Sequence, residues 1–252
     1  MRLLAVETSG THGGIALMED GRVLDEVRLA EGLRHARDLI VAIKEACDRA
    51  GWGRRTDVVA LSIGPGSFTG IRIAVTFAKF VAWDAGAKVV AVPTLRVLAE
   101  NAPADCGRIV PMLDAKRGGL FAGIFERRDE EVRTRDDARA RRDEDVRARR
   151  GSGGALSNLE EVFGPTLIEP EALARRLEAP ALILGPGVPK GRQALAAFDL
   201  APEELWAARP AVVARLGWEL HELGRYADPL RLEPVYIRPP EAQEIWERKH
   251  GR

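Results

Sequence analysis

The sequence predicts an α/β protein made of two related halves, each with a mixed β-sheet covered by helices. The first observation is an alternation, in the first half, of short apolar stretches with longer amphipathic ones in the order β-β-β-α-β-α-β-α. The second is a repeat, because residues 181–187 read ALILGPG and residues 60–66 read ALSIGPG. A chain of 252 residues, 46% of them hydrophobic, can bury the core that such a duplicated fold needs.

The first half begins with three strands in an antiparallel meander. Apolar stretches lie at 3–6, 14–18 and 22–29, and the Asp20-Gly21 pair between the last two favours a tight hairpin turn. The next predicted elements are a helix from residue 33 to about residue 50, a strand at 58–63, a helix at about 69–85, a strand at 88–93 and a helix at 94–100. Strands buried on both faces, in this order, are typical of the ribonuclease H-like half of actin-like (ASKHA) proteins.

The second half is predicted to be a smaller, reduced copy of the first. Residues 109–115 and 119–126 can form a hairpin, and residues 181–185 predict a buried strand that enters a second Gly-Pro-Gly loop. We therefore predict an N-terminal ribonuclease H-like lobe at residues 1–105 and a smaller C-terminal lobe at residues 106–252.

A strongly charged insert interrupts the second half at residues 126–154. Ten arginines and nine acidic residues occupy 19 of the 25 positions from 126 to 150, and a glycine-rich segment closes the run. Such a segment has almost nothing to bury, so we expect a mobile loop, with a solvated helix or hairpin extension as the alternative. The acidic residues argue against an arm that binds nucleic acid.

Composition restricts the class of protein. The 38 basic and 38 acidic side chains cancel, so no long-range field would attract a polyanion such as tRNA. Cys47 and Cys106 lack the spacing of metal ligands and are typical of free thiols in a reducing compartment. The N-terminus lacks a secretion signal, and charged residues interrupt the apolar stretches. We expect a cytoplasmic protein that does not bind membranes.

The segment GPGSFTG at residues 64–70 connects a buried strand to a helix. Backbone N–H groups at such a position can bind a phosphate or another anion. The segment matches neither the P-loop pattern nor the GxGxxG pattern. The alternative, which physical reasoning favours, is that its glycines form a tight turn and that Ser67 or Thr69 caps the helix.

The helix predicted at 69–85 has two different faces. One broad apolar face should pack on the sheet and consists of Ile71, Ala74, Val75, Ala78, Val81, Ala82 and Ala85. The opposite stripe carries Arg72, Thr76 and Lys79, but also Phe80 and Trp83. A solvated stripe seldom displays an indole beside a phenyl ring, whereas protein interfaces are enriched in Trp, Phe and Arg. We interpret this stripe as a partner surface; the alternative is that another segment of the same chain covers it.

Three segments together resemble signatures of the TsaB (YeaZ) family: LAVETS at 4–9, IGPGSFTGIR at 63–72 and VPMLDAKRG at 110–118. PVYIR at 234–238 resembles the closing segment of that family, so the resemblance spans the chain except for the insert. It implies an actin-like fold and a non-catalytic partner of TsaD in bacterial tRNA threonylcarbamoyladenosine biosynthesis. TsaD would transfer the threonylcarbamoyl group to the adenosine next to the anticodon, TsaE would join as the ATPase, and tRNA would be contacted only through the complex.

The resemblance also implies where the functional residues lie. TsaD would bind the two long helices of the first half, and an isolated chain would form a homodimer through the same surface. The interface that we predict consists of His35, Leu39, Arg72, Thr76, Lys79, Phe80 and Trp83. A vestigial nucleotide or anion site would consist of Glu7, Thr8, Ser9, Gly64, Gly66, Ser67 and Asp114. Glu7 and Asp114 lie at strand ends where actin-type kinases place metal-associated carboxylates, but local caps or turn stabilisers are the favoured interpretation.

No metal site and no catalytic residue are predicted. A TsaD-like metal site needs two histidines one helical turn apart, and none of the four histidines has such a neighbour. The chain would therefore require no cofactor of its own, and any ATP would bind at the partner interface. The alternatives are an active actin-type ATP-dependent kinase or carbamoyltransferase and, with less support, a peptidase, for which no zinc motif or Ser/His/Asp pattern is evident.

Overall fold

The computed structural model describes residues 1–29, 35–53, 55–128 and 158–238, together with Trp246. The charged insert predicted at 126–154 lies outside these residues except for 126–128, so its mobility stays a prediction. Within the described part of the chain, no helix is both long enough and apolar enough to cross a lipid bilayer.

The elements of the first half adopt the predicted order. They are β1 (Arg2–Glu7), β2 (Gly14–Glu19), β3 (Arg22–Arg28), α1 (His35–Arg49), β4 (Val58–Ser62), α2 (Phe68–Ala85), β5 (Lys88–Val92) and α3 (Thr94–Ala99). The strands form one sheet in the order β3-β2-β1-β4-β5. β1 and β2, like β2 and β3, pair antiparallel, whereas β4 pairs parallel with both β1 and β5. The predicted mixed sheet is confirmed.

The second half repeats this topology. Its elements are β6 (Arg108–Asp114), β7 (Leu120–Arg127), β8 (Leu159–Ile168), α4 (Pro170–Ala174), β9 (Leu182–Leu184), α5 (Val188–Gly191), β10 (Asp199–Leu200) and α6 (Pro210–Glu222). The sheet order is β8-β7-β6-β9-β10, with antiparallel pairs on one side of β6 and parallel pairs on the other. The predicted duplication is therefore confirmed, and its helices are short in the second copy, apart from α6.

Local sequence explains where key elements turn and end. Asp20 and Gly21 both have positive φ angles, 49° and 80°, which are the backbone angles that the predicted hairpin turn requires. Ser67 is the N-cap of α2, because its side chain accepts a hydrogen bond from the N–H of Gly70 at 3.2 Å. Gly86 ends α2 in the left-handed conformation with φ of 68°. These features set the length of α2.

Helices cover both faces of the first sheet. On one face, Leu4 of β1 packs in the same core as Leu39 of α1 and Ile71 of α2. Because side chains alternate along a strand, the neighbouring Leu3 points to the other face and packs with Val213 of α6. Neither α6 nor β8 was predicted from the sequence. Helix α6 lies within residues 106–252, the predicted C-terminal lobe, but it packs on the sheet of the first half. The division into lobes at residue 105 stays a prediction.

Candidate functional site

The carboxyl end of β1 holds the first group of predicted site residues. The backbone N–H of Ser9 donates to Glu7 Oε1 at 2.6 Å, and the hydroxyl of Ser9 donates to the same oxygen at 2.5 Å. The hydroxyl of Ser62, at the end of β4, donates to Glu7 Oε2. Glu7 is fully buried, and this burial raises the pKa of its carboxyl despite the opposing hydrogen bonds. The carboxyl thus ties two neighbouring parallel strands together.

The glycine loop packs directly on this strand end. The backbone N–H of Ser67 donates to the carbonyl of Ser9 at 2.7 Å, and the hydroxyl of Thr8 donates to the carbonyl of Gly70 at 2.7 Å. A Cβ atom at Gly70 would lie 1.8 Å from the Thr8 carbonyl oxygen, and one at Gly66 would lie 2.3 Å from that of Ser9. Glycine is required here for close backbone packing.

The remaining members of the predicted nucleotide site lie at different places. The carbonyl of Gly64 accepts a hydrogen bond from the N–H of Thr94 at 2.9 Å. Asp114, at the end of β6, instead accepts hydrogen bonds from the Lys190 side chain and from the backbone N–H of Lys116. Partial burial opposes ionisation of Asp114, but these bonds outweigh it and lower the pKa of its carboxyl. Contacts within the described residues join Glu7, Thr8, Ser9 and Ser67 but do not join Asp114 to them. The nucleotide site therefore stays a prediction.

The outward face of α2 displays its aromatic residues to solvent. Trp83 is 83% exposed and Phe80 is 56% exposed, and their ring centroids are 6.3 Å apart. Arg72 and Thr76 are also exposed, and Lys79 is half-buried. On the predicted apolar face, Ile71, Ala74, Val75 and Ala78 are buried, and Val81 and Ala82 pack partly against the same core. Ala85, which was predicted on this face, is exposed because α2 ends there. Large exposed apolar side chains that cluster in this way mark surfaces that bind other molecules.

Helix α1 extends this exposed face. Ile40 and Val41 are 53% and 49% exposed, whereas Leu39 is fully buried in the core. Leu39 therefore lies at the base of an open groove of about 610 Å³ between α1 and α2, which Ile40, Phe68, Arg72 and Phe80 also line. The side chain of His35 lies outside the described part of the structure. Leu39 and Ile40 are adjacent apolar residues, and the structure points Leu39 to the core and Ile40 to the groove.

We call the exposed side chains of α2, together with Ile40 of α1, the docking surface, which comprises Ile40, Arg72, Thr76, Phe80 and Trp83. The chain itself covers one edge of it. There, the guanidinium carbon of Arg72 lies 3.9 Å from the centroid of the Phe68 ring, and Arg72 Nε donates to the hydroxyl of Tyr236 at 2.8 Å. Sequence reasoning missed Tyr236 as a neighbour of this helix. Most of the surface, including Phe80 and Trp83, stays exposed.

The described part of the chain offers no candidate metal centre. Among these residues, no group of three or more His, Cys, Asp or Glu side chains is arranged to hold a metal ion.

Comparisons with known proteins identify relatives. The chain is 36% identical over 129 residues to the tRNA threonylcarbamoyladenosine biosynthesis protein TsaB of Bacillus subtilis, and 29% identical over 136 residues to the TsaB of Escherichia coli. It is 25% identical to the TsaB of Haemophilus influenzae over 100% of this chain and 98% of that protein. The chain is similar in sequence to these TsaB proteins. The predicted resemblance is confirmed.

The extent of these matches differs. The Bacillus and Escherichia matches cover 50% and 52% of the chain, and 56% and 58% of the respective TsaB proteins, so each spans little more than half of the relative. A sequence model of the family described as "TsaD: tRNA N6-adenosine threonylcarbamoyltransferase" matches residues 30–145 of this chain. A solved structure, YeaZ from Pseudomonas aeruginosa, shares the fold, with a TM-score of 0.71 at 21% identity over 93% of this chain and 99% of that one.

Proposed function

We propose that this chain is a non-catalytic cytoplasmic subunit of the bacterial machinery that forms threonylcarbamoyladenosine in tRNA. In this proposal the chain binds and activates TsaD, and TsaD transfers the threonylcarbamoyl group to the adenosine next to the anticodon. The names of the three TsaB relatives and the TsaD family match support the pathway. TsaE joins through the assembled complex.

The observation that carries the proposal is the docking surface. A solvated helix gains nothing from an 83% exposed indole, but a buried tryptophan is among the strongest contributors to protein–protein affinity. The exposed apolar side chains of α1 and α2 lie on both sides of an open groove that a helix of a partner can enter. In the absence of TsaD, the same side chains avoid water by pairing two copies of the chain, which gives a homodimer.

The strand-end cluster supports a structural role for this chain. Both oxygens of Glu7 accept hydrogen bonds from serines, and the carboxyl is fully buried. The loop from Gly64 to Gly70 packs against Thr8 and Ser9 of the same chain. We propose that the chain requires no cofactor of its own and that any ATP is held at its boundary with TsaD. Because the net charge is zero, tRNA binds through the complex.

Reconstitution with the cognate TsaD tests this function. The chain and TsaD are expressed together and purified, and threonylcarbamoyl transfer to tRNA is measured with TsaE, the threonylcarbamoyl donor and Mg-ATP, with and without this chain. We expect co-purification and a strong dependence of tRNA modification on the chain. Unchanged tRNA modification when the chain is omitted would contradict the proposal.

The isolated chain provides the second arm of this experiment. We expect a homodimer in sedimentation analysis, with no kinase, carbamoyl transfer or peptidase turnover. Tight Mg-ATP binding with turnover by the isolated chain would instead support an active actin-type kinase or carbamoyltransferase.

A further inference from the structure

The segment 232–238, which we call the C-terminal strap, runs along the edge of the docking surface. Leu232 is buried in the core beside α2, and the N–H of Val235 donates to the carbonyl of Ile63 at 2.8 Å. At its other end, Arg238 Nη1 donates to the carbonyl of Ala115 at 2.6 Å, in the hairpin of the second sheet. The strap is therefore anchored on both sides of Tyr236, which fixes the place of that side chain.

Tyr236 contributes to a three-membered stack at the start of α2. Its ring lies 4.9 Å from the ring of Phe68, between centroids, and the guanidinium of Arg72 lies 3.9 Å from Phe68 and 5.9 Å from Tyr236. The Tyr236 hydroxyl accepts the hydrogen bond of Arg72 Nε. Two aromatic contacts and one hydrogen bond restrict a long side chain that would otherwise sample many rotamers.

The guanidinium of Arg72 carries a positive charge at the edge of the docking surface. Among the described residues, no carboxylate lies within ion-pair distance of it, and the hydroxyl that it binds is neutral. Because Nε binds Tyr236, the two terminal nitrogens remain, and their spacing matches the two oxygens of a carboxylate. Lys79 lies on the same face, and Asp84 is the first acidic residue of α2. Positive charge therefore borders the exposed apolar side chains.

We propose that Tyr236 is a positioning residue of the docking surface: it holds Arg72 on Phe68 so that the guanidinium binds a carboxylate of the protein that docks on α1 and α2. This inference rests on the proposed function and adds the chemistry of the partner, an acidic side chain beside an apolar helical face. The positive charges of Arg72 and Lys79 favour a partner that brings carboxylates to this face, and binding of a second copy of this chain is an alternative outcome of the test. The strap is thus part of the interface.

Equilibrium binding to the cognate TsaD tests the proposal. We expect Arg72→Ala to weaken the complex by about tenfold, because a bidentate pair with a carboxylate would be lost, and Tyr236→Phe by about fivefold, as for one lost hydrogen bond. The matched control is Tyr226→Phe. Tyr226 is exposed to the same extent, 40% against 38%, and its hydroxyl also has a side-chain partner, His221 Nδ1 at 2.8 Å. The Tyr226→Phe variant should bind TsaD with the affinity of the wild type.

A double-mutant cycle separates positioning from general stabilisation. If Tyr236 acts through Arg72, adding Tyr236→Phe to Arg72→Ala should cause no further loss of affinity. Additive losses, or unchanged affinity of all three variants, would overturn the inference. If the Arg72 and Tyr236 variants form a weaker homodimer but bind TsaD normally, the inference is overturned, and the stack instead binds a second copy of this chain.

The docking surface itself is tested by Trp83→Asp in the same assay. If Trp83→Asp abolishes TsaD binding while the Arg72 and Tyr236 variants bind normally, only the role of the stack is wrong. If Trp83→Asp also binds normally, the proposed function loses the surface on which it rests.

Discussion

The two halves of the molecule contain a similar Gly-Pro-Gly loop, but the helices that follow the two loops differ in length. GPGSFTG at 64–70 and GPGVPKG at 185–191 both come directly after a parallel strand at the same position of the sheet order. Their first glycines have nearly the same positive φ angle, 114° for Gly64 and 108° for Gly185. The first loop leads into an 18-residue helix, and the second leads into a four-residue helix. A shared loop therefore does not imply a shared role.

The difference lies in the contacts of each loop and in the helix that it begins. The first loop is locked against the end of β1, and Ser67 caps a long helix that exposes Phe80 and Trp83. In the second loop, Pro189 occupies the first turn, and Arg192 ends a helix too short to display a surface. We infer that the first copy kept a partner surface while the second provides packing. Four experiments test this comparison.

The largest expected effect is on the free energy of unfolding, at the last glycine of each loop. Gly70→Ala should destabilise the chain by about 3 kcal/mol or more, because the new Cβ atom would meet the Thr8 carbonyl oxygen at 1.8 Å and the backbone must move. Gly191→Ala should cost less, about 1–2 kcal/mol. Its Cβ atom would lie 2.8 Å from Leu195 Cδ1 and 3.2 Å from Met112 Cε, which are ends of flexible side chains in a buried site rather than backbone atoms. Urea denaturation followed by circular dichroism measures both, and equal losses would contradict the comparison.

The second-largest expected effect is on the affinity for TsaD. Phe80→Asp should weaken TsaD binding by more than about 100-fold, because a charge would be buried in an apolar interface. The circular-dichroism spectrum should not change, since Phe80 is exposed. Leu223→Asp is the control. This leucine is 48% exposed at the end of α6, which packs on the other face of the first sheet. Loss of binding in both variants would show that the effect is not specific to the docking surface.

The third effect concerns the carboxyl at the end of β1. Burial raises the pKa of Glu7 in the folded chain above its ordinary value of 4.5, so the folded state binds the proton more tightly. The contribution of Glu7 to the stability of the folded chain is complete below pH 4.5 and is lost as pH rises through the pKa of Glu7 in the folded state. Glu7→Gln, which stays neutral, should therefore gain stability relative to the wild type as pH rises above 4.5. Parallel curves of unfolding free energy between pH 4 and 8 would show that Glu7 does not titrate in this range.

The smallest effect is expected at the corresponding strand end of the second half, and its pH dependence has the opposite sign. The Lys190 and Lys116 contacts lower the pKa of Asp114, so its stabilisation is present above the ordinary value of 3.8 and is lost as pH falls. Because Asp114 is partly exposed, Asp114→Asn should cost less than about 1 kcal/mol at pH 7. At pH 3 the difference between the two unfolding free energies should be smaller than at pH 7. A larger loss at pH 3 than at pH 7 would reverse the assignment.

Periodicity predicted the first half well and the second half in part. The alternation of apolar residues located β1, β2, β4, β5 and α1 to α3 because each of these elements has buried residues, whereas β3, which has none, was located by the Asp20-Gly21 turn before it. It did not locate β8, an edge strand with mostly exposed side chains that carries a weak apolar pattern. The C-terminal helix α6 was also missed, although its apolar residues pack on the first sheet. Nothing local in the sequence indicates which sheet it covers.

For the candidate site, the sequence predicted the outward stripe of α2 but not all of its surroundings. The exposure of Phe80 and Trp83 agrees with the pattern, since those side chains oppose the buried face. On α1, the sequence placed Leu39 in the interface, but the structure buries it and exposes Ile40 and Val41. The pitch of the helix and the width of the sheet beneath it decide which of two adjacent apolar side chains points inward.

By itself, the sequence determined the order of elements, the duplicated Gly-Pro-Gly loops and the aromatic stripe, because each depends on residues close together in the chain. Only the tertiary structure decided that Glu7 is enclosed by Ser9 and Ser62, and that Arg72 binds Tyr236 across 164 positions of sequence. Contacts between distant residues have no period along the chain. They exist because strand pairing and core burial bring separate segments to the same edge of the sheet.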